Sequence, residues 1–242
     1  MPATSARKPS RKHVLGVDGC RGGWICARLE VETLAVETAY AEDFRAVLDG
    51  PARDAAAILV DMPIGLADAG ARACESAARA RLAARRSSVF SAPRRPMLAF
   101  ATYAEANAWG KANGAGLSKQ AFNIMAKIAE IDRLVTPADQ ARIGEGHPEL
   151  AFMRLGGAPC AYPKRTRQGL AERRALLARA GLAVDDALVA EARRVSSGRA
   201  KEDDVLDALA LSLAAAARLD GRALRLSDEA RDARGLVMEI WG

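Results

Sequence analysis

The chain has 242 residues, half of them hydrophobic, which suffices for one large α/β domain with a substantial core and does not demand two domains. No apolar run approaches the roughly 20 residues that span a bilayer, and no signal-peptide apolar stretch opens the chain, so a soluble, cytoplasmic protein is expected. The 36 Lys and Arg against 30 Asp and Glu leave a net charge of +6, which suits a polyanionic partner without specifying one; abundant Arg and Ala, as in GC-rich coding, weaken that inference.

Residues 1–12 are polar and basic with two prolines, the composition of a disordered tail. Residues 13–18 form a short apolar run ending in Asp18 and Gly19, and strand-like segments at 24–31 and 34–40 follow so closely that a three-stranded antiparallel meander is expected. Residues 41–48 have helical character. Residues 55–61 are almost wholly apolar, the pattern of a central parallel strand covered on both faces, and they too end in an acid, Asp61. From about 68 to 136 the chain is mostly helical, with an Arg-rich loop near 85–95, a break at 114–116 and a helix opened by a capping Ser118; this stretch resembles an insertion. Residues 141–147 predict a third parallel strand, followed by helices at 148–155 and 166–180. The final helix, 201–219, is the most apolar and ends before Gly221, and residues 236–241 are expected to add an edge strand. There is no internal repeat.

Asp204 and Asp207 open that final helix. At about 100° per residue they share a face with Ala208, Leu211 and Ala215, so both carboxyls point where the helix packs. The helix macrodipole explains Glu202 and Asp203, but it explains poorly an acid one turn further in. In α/β sheets, side chains from separate strands meet at the carboxyl ends of the parallel strands. If the last helix packs beside the first strand, Asp18, Asp61, Asp204 and Asp207 meet there, with Glu145 nearby. The competing explanations are a hairpin turn for Asp18 and an Asx cap before Pro63 for Asp61. Clustered carboxylates raise each other's pKa unless cations compensate them. Mg²⁺ or Mn²⁺ fits, because hard cations take oxygen ligands and a pair about 4 Å apart holds both the attacking and the leaving oxygen of a phosphoryl transfer. Cys20, Cys26, Cys74 and Cys160 form no C-x-x-C pair and lack the His partners of a zinc site, so they are expected to be reduced thiols.

Six blocks stand in order: Gly16-Val-Asp-Gly-Cys-Arg-Gly-Gly-Trp24, Val60-Asp-Met-Pro-Ile-Gly-Leu66, Arg85-Arg-Ser-Ser-Val-Phe-Ser-Ala-Pro93, Ser118-Lys-Gln-Ala-Phe122, Glu145-Gly-His-Pro-Glu149 and Asp204-Val-Leu-Asp-Ala-Leu209. Over residues 13–242 the chain resembles the DUF429 family, whose members are predicted to be ribonuclease H-like nucleases. The resemblance implies a single α/β domain built on a five-stranded mixed sheet, three antiparallel strands then two parallel, flanked by helices and carrying the insertion. The acids match the pattern of RuvC-type Holliday-junction resolvases, except that Asp61 stands where Glu is common. That similarity implies a metal-dependent nuclease in which Asp18, Asp61, Asp204 and Asp207 bind two metals, with Glu145 as a further catalytic acid.

Nucleic acid is the partner so implied, and the dimeric state of resolvases makes a homodimer an expectation without identifying an interface. Arg85 and Arg86 are expected to grip phosphates. Ser118, Lys119 and Gln120 sit at a helix start whose N–H groups suit a phosphate, although capping alone would explain Ser118. Arg21 is expected to reach over the site. His147 either orders a metal-bound water or a phosphate, or hydrogen-bonds the loop backbone. Aromatic residues are only 5 % of the chain, which argues against a stacking platform for single strands. Two rival functions follow from the same residues. An actin-like ATPase or small-molecule kinase would normally duplicate the domain and repeat a D-x-G phosphate loop, and no second such block follows a strand here; a non-catalytic nucleic-acid scaffold would have no need of all four acids.

Overall fold

The computed structural model describes residues 12–242, so the tail expected over residues 1–12 lies, apart from Lys12, outside the described residues. Strands β1 (His13–Cys20), β2 (Gly23–Glu30) and β3 (Val36–Ala41) form the antiparallel meander. Strands β4 (Ala57–Val60) and β5 (Ile143–Glu145) run parallel to β1, giving the order β3-β2-β1-β4-β5. This is the ribonuclease H-like arrangement.

Side chains alternate across the sheet and create two core layers. Val14 and Cys20 of β1, Ile25, Ala27 and Leu29 of β2, and Ala57 and Leu59 of β4 pack against α9 (Glu202–Leu219). Leu15 and Val17, with Ile58 and Val60, face the other way onto α1 (Phe44–Asp49) and onto Ile128 and Ile131 of the insertion. Because α9 lies under the sheet, its residues 205–211 are buried all round, which is why that stretch is so apolar.

Gly16 permits this approach. A Cβ at this position would stand 2.0 Å from the Ala208 carbonyl oxygen and 2.4 Å from the Ser212 nitrogen, so no side chain fits between strand and helix.

The insertion carries α2 (Ala73–Leu82), α3 (Tyr103–Ala112), α4 (Lys119–Asn123) and α5 (Met125–Leu134). Thr102 begins α3 with a full capping box, and Ser118 accepts from the Ala121 N–H, as its position predicts. After β5 come α6 (Pro148–Gly156), α7 (Arg167–Arg179) and α8 (Asp186–Val195), then α9.

The C-terminus differs from the expected edge strand. β6 (Arg225–Arg231) and β7 (Val237–Trp241) pair in a separate two-stranded sheet, joined to the main one through the Gly146–Trp241 bridge and a His147 N–H to Trp241 carbonyl bond. β6 left no signal because Leu226 is its one fully buried residue; the rest is charged or small and a bulge interrupts the pairing. All four cysteines are free and buried. Among the described residues, no helix is long and apolar enough to cross a membrane.

Candidate metal centre

Three of the expected acids converge. Val17 of β1 pairs with Val60 of β4, and the Asp61 N–H continues that ladder to the Val17 carbonyl at 2.9 Å; β1 runs past the expected end at Asp18 to Cys20, so Asp18, still paired with Ile25 inside the strand, lies beside Asp61 just beyond the end of β4. Alternation puts both on the α9 side, in phase with Gly16 and Leu59. Asp207 lies one residue before Ala208, the point where α9 touches Gly16. One ligand oxygen from each of Asp18, Asp61 and Asp207 lies within 4.8 Å of the others.

Asp18 and Asp207 are buried and Asp61 is half-buried, so charge is expensive here. Burial raises the Asp18 carboxyl well above its usual range, and the charges of Asp61 and Asp207 add to the effect. Burial lifts Asp61 to about 7 and Asp207 to about 6, against the opposing pull of Lys164. One oxygen of Asp207 is bonded to Lys164; the other, Oδ1, is buried without any hydrogen-bond partner. An orphaned carboxylate oxygen in a group whose two neighbours are also carboxylates is one that a cation would satisfy. The set is all oxygen, which suits a hard divalent ion.

Lys164 was not legible in the sequence. Burial disfavours its ammonium, yet Asp207, Asp18 and Asp61 outweigh that and hold the amine above its ordinary pKa. The loop that carries it is firmly built. Thr166 caps α7 and donates to the Pro163 carbonyl, and Glu172 accepts from the N–H groups of Ala161 and Tyr162. Arg173, with no exposed surface, donates to the Tyr162 carbonyl and pairs with Glu149. Gly169 lets the loop touch α7, since a Cβ there would lie 2.0 Å from the Pro163 carbonyl oxygen. The sequence marked only the helix that follows this loop, expected over 166–180.

The remaining expected residues are placed differently. Asp204 faces the same side, and its charge is felt by Asp18, but its Oδ2 accepts the Lys201 N–H at 2.9 Å as a helix cap. Burial raises its carboxyl, and the Lys201 bond opposes the shift. Asp204 therefore stands beside the group of three and not within it.

Glu145 ends β5 as expected, but buried Arg72 grips both its oxygens and the Ile64 N–H donates to it at 2.9 Å. Burial pushes Glu145 up to about 7, opposed by Arg72. His147 is half-buried, with Nε2 3.4 Å from the Ser88 carbonyl and a buried Nδ1 that has no partner, and desolvation lowers it to about 4, so the ring is neutral at pH 7. Arg85 is half-buried and 3.6 Å from Glu149, which gives it a structural partner, whereas Arg86 and Arg21 are exposed. Ser118 is occupied as a cap, Lys119 lies 4.2 Å from the Tyr103 ring centre, and Gln120 is exposed.

Fold and site together define an α/β protein of ribonuclease H-like architecture with a buried acidic cluster able to hold a metal ion. The family model described as "Protein of unknown function (DUF429)" matches residues 16–232, and the chain belongs to that family. No curated protein and no solved structure matches it.

Proposed function

We propose that the protein is a metal-dependent phosphodiester hydrolase acting on nucleic acid, with Asp18, Asp61 and Asp207 holding Mg²⁺ or Mn²⁺. The observation that carries this reading is the convergence of three carboxylates from β1, the end of β4 and α9, with the buried Oδ1 of Asp207 left without a partner. A bound divalent cation supplies Lewis-acid polarisation of a phosphoryl oxygen and a water of lowered pKa.

The rest of the chemistry belongs to the chain. The three acids arrive preformed on rigid elements, so little reorganisation precedes binding. Lys164, held against Asp207 while no other cation is present, is the group that can turn to a phosphate oxygen once the carboxylate is otherwise compensated. Exposed Arg21 and Arg86 add positive charge for a polyanionic strand, in line with the net charge of +6.

The test is cleavage of labelled DNA, RNA, hybrid and branched substrates with Mg²⁺ or Mn²⁺. Wild-type cleavage that Asp18→Asn and Asp207→Asn both lose supports the proposal. Absence of cleavage on every substrate with either metal rejects it.

A further inference from the structure

A cavity of about 620 Å³ lies beside the acidic centre and is not part of it. It sits among residues 67–79, 89–97 and 113–118, where the insertion folds over the carboxyl end of the sheet. Its size falls in the range of roughly 300–1,000 Å³ typical of small-ligand clefts. Four of its wall residues, Arg72, Glu75, Val89 and Phe90, also wall a small recess lined by Asp61 and His147, so the cavity and the acids share a partition.

Two features of the wall define the ligand. The first is charge. Arg72 is compensated by Glu145 and Glu75, and Arg79 by Glu75. Arg94, also on the wall and only 6 % exposed, donates to the neutral carbonyls of Gly110, Asn113 and Ala115 and lies 5.0 Å from the Trp109 ring centre, and among the described residues it has no carboxylate partner. A buried guanidinium that carbonyl dipoles and a ring face stabilise, but that no carboxylate neutralises, favours an anion in the adjoining space. The second feature is apolar surface: Val89, Phe90, Met97 and Leu117 offer a face on which a planar ring can lie.

We propose that this cavity takes a nucleotide unit, its phosphate drawn by Arg94 and its base against the apolar wall. Resting on the phosphodiesterase reading, the unit belongs to the strand being cut, next to the scissile phosphate, and the cavity thereby fixes the register of the strand on the acids. Free mononucleotides share that chemistry and serve as probes.

The experiment is calorimetric titration of the whole protein in EDTA with AMP, dTMP, inorganic phosphate and a short single-stranded oligonucleotide. Two variants test the location. Ala71→Trp fills the cavity from an exposed wall position, and Ala115→Glu sets a carboxylate beside Arg94, also from an exposed position. The proposal expects saturable binding of a mononucleotide, stronger than that of phosphate, weakened about tenfold or more by each variant while the melting temperature stays put. Competition between mononucleotide and oligonucleotide identifies a strand site, whereas oligonucleotide binding that mononucleotide leaves untouched overturns the strand assignment. Absence of saturable binding, or binding indifferent to both variants, overturns the proposal. Binding retained by wild type and Asp207→Asn when neither cleaves any substrate would remove the phosphodiesterase and leave the nucleotide cavity. Cleavage without nucleotide binding would do the reverse.

Discussion

Lys164 and Asp207, 43 residues apart, meet at the acidic centre, and the ammonium covers one oxygen of a carboxylate whose other oxygen has no partner. Lys164 is thus an internal counter-ion that a divalent ion must outcompete. Lys164→Met should tighten Mn²⁺ binding by about tenfold or more, equivalent to about 1.4 kcal/mol, read by calorimetric titration. Unchanged or weaker Mn²⁺ binding would show that the lysine does not compete.

Without a cation, the three acids are held together against burial and one another. Asp18→Asn should raise the metal-free stability at pH 7.5 by roughly 1–3 kcal/mol, because it removes a buried carboxyl that burial and the charges of Asp61 and Asp207 raise well above its ordinary range. The same variant should lose most of the stabilisation that Mn²⁺ confers on the wild type. Thermal melts with and without Mn²⁺ check both effects, and a destabilised metal-free variant would mean the cluster is not repulsive.

His147 gives a pH dependence with a defined sign. Its folded pKa of about 4 lies below the ordinary value of about 6.5, so the unfolded chain binds the extra proton between those values. The contribution is fully present above about pH 6.5 and is lost as pH falls toward 4, by roughly 2 kcal/mol between pH 7 and pH 5. His147→Gln should flatten that part of the stability profile in urea denaturation. Parallel profiles for the two proteins would contradict the assignment.

Gly16 tests how the centre is assembled. Gly16→Ala places a Cβ on the backbone of α9, where no flexible side chain can yield, and should destabilise the fold by about 3 kcal/mol. Because Asp207 sits at that contact, Mn²⁺ affinity should fall as well. A substitution neutral in both denaturation and titration would mean that strand and helix are not so closely apposed.

The acids that follow regular patterns were legible in the sequence. Asp18 and Asp61 end apolar runs that could only be strands, and Asp207 lies on the packed face of an apolar helix. What alternation and helical period do not encode was hidden. Lys164 sits in an irregular loop held by carbonyls and by Arg173. Asp204 shares the helix face of Asp207 but belongs to the first turn, where a free N–H competes for its oxygen. Glu145 ends β5 as expected, yet Arg72, 73 residues earlier in the chain, engages it. Arg94 and its cavity depend on how the insertion folds back, which no local pattern records.

In the proposed centre, Asp18, Asp61 and Asp207 hold the metal while Asp204 caps the helix. Its most direct test is cleavage by Asp207→Asn and Asp204→Asn, measured side by side on one substrate with Mn²⁺. The expected result is a loss of about a hundredfold or more for Asp207→Asn, at least roughly 2.7 kcal/mol in barrier, and a change within about threefold for Asp204→Asn. Equal loss in both variants would contradict the three-acid centre, and cleavage untouched by Asp207→Asn would contradict the centre altogether.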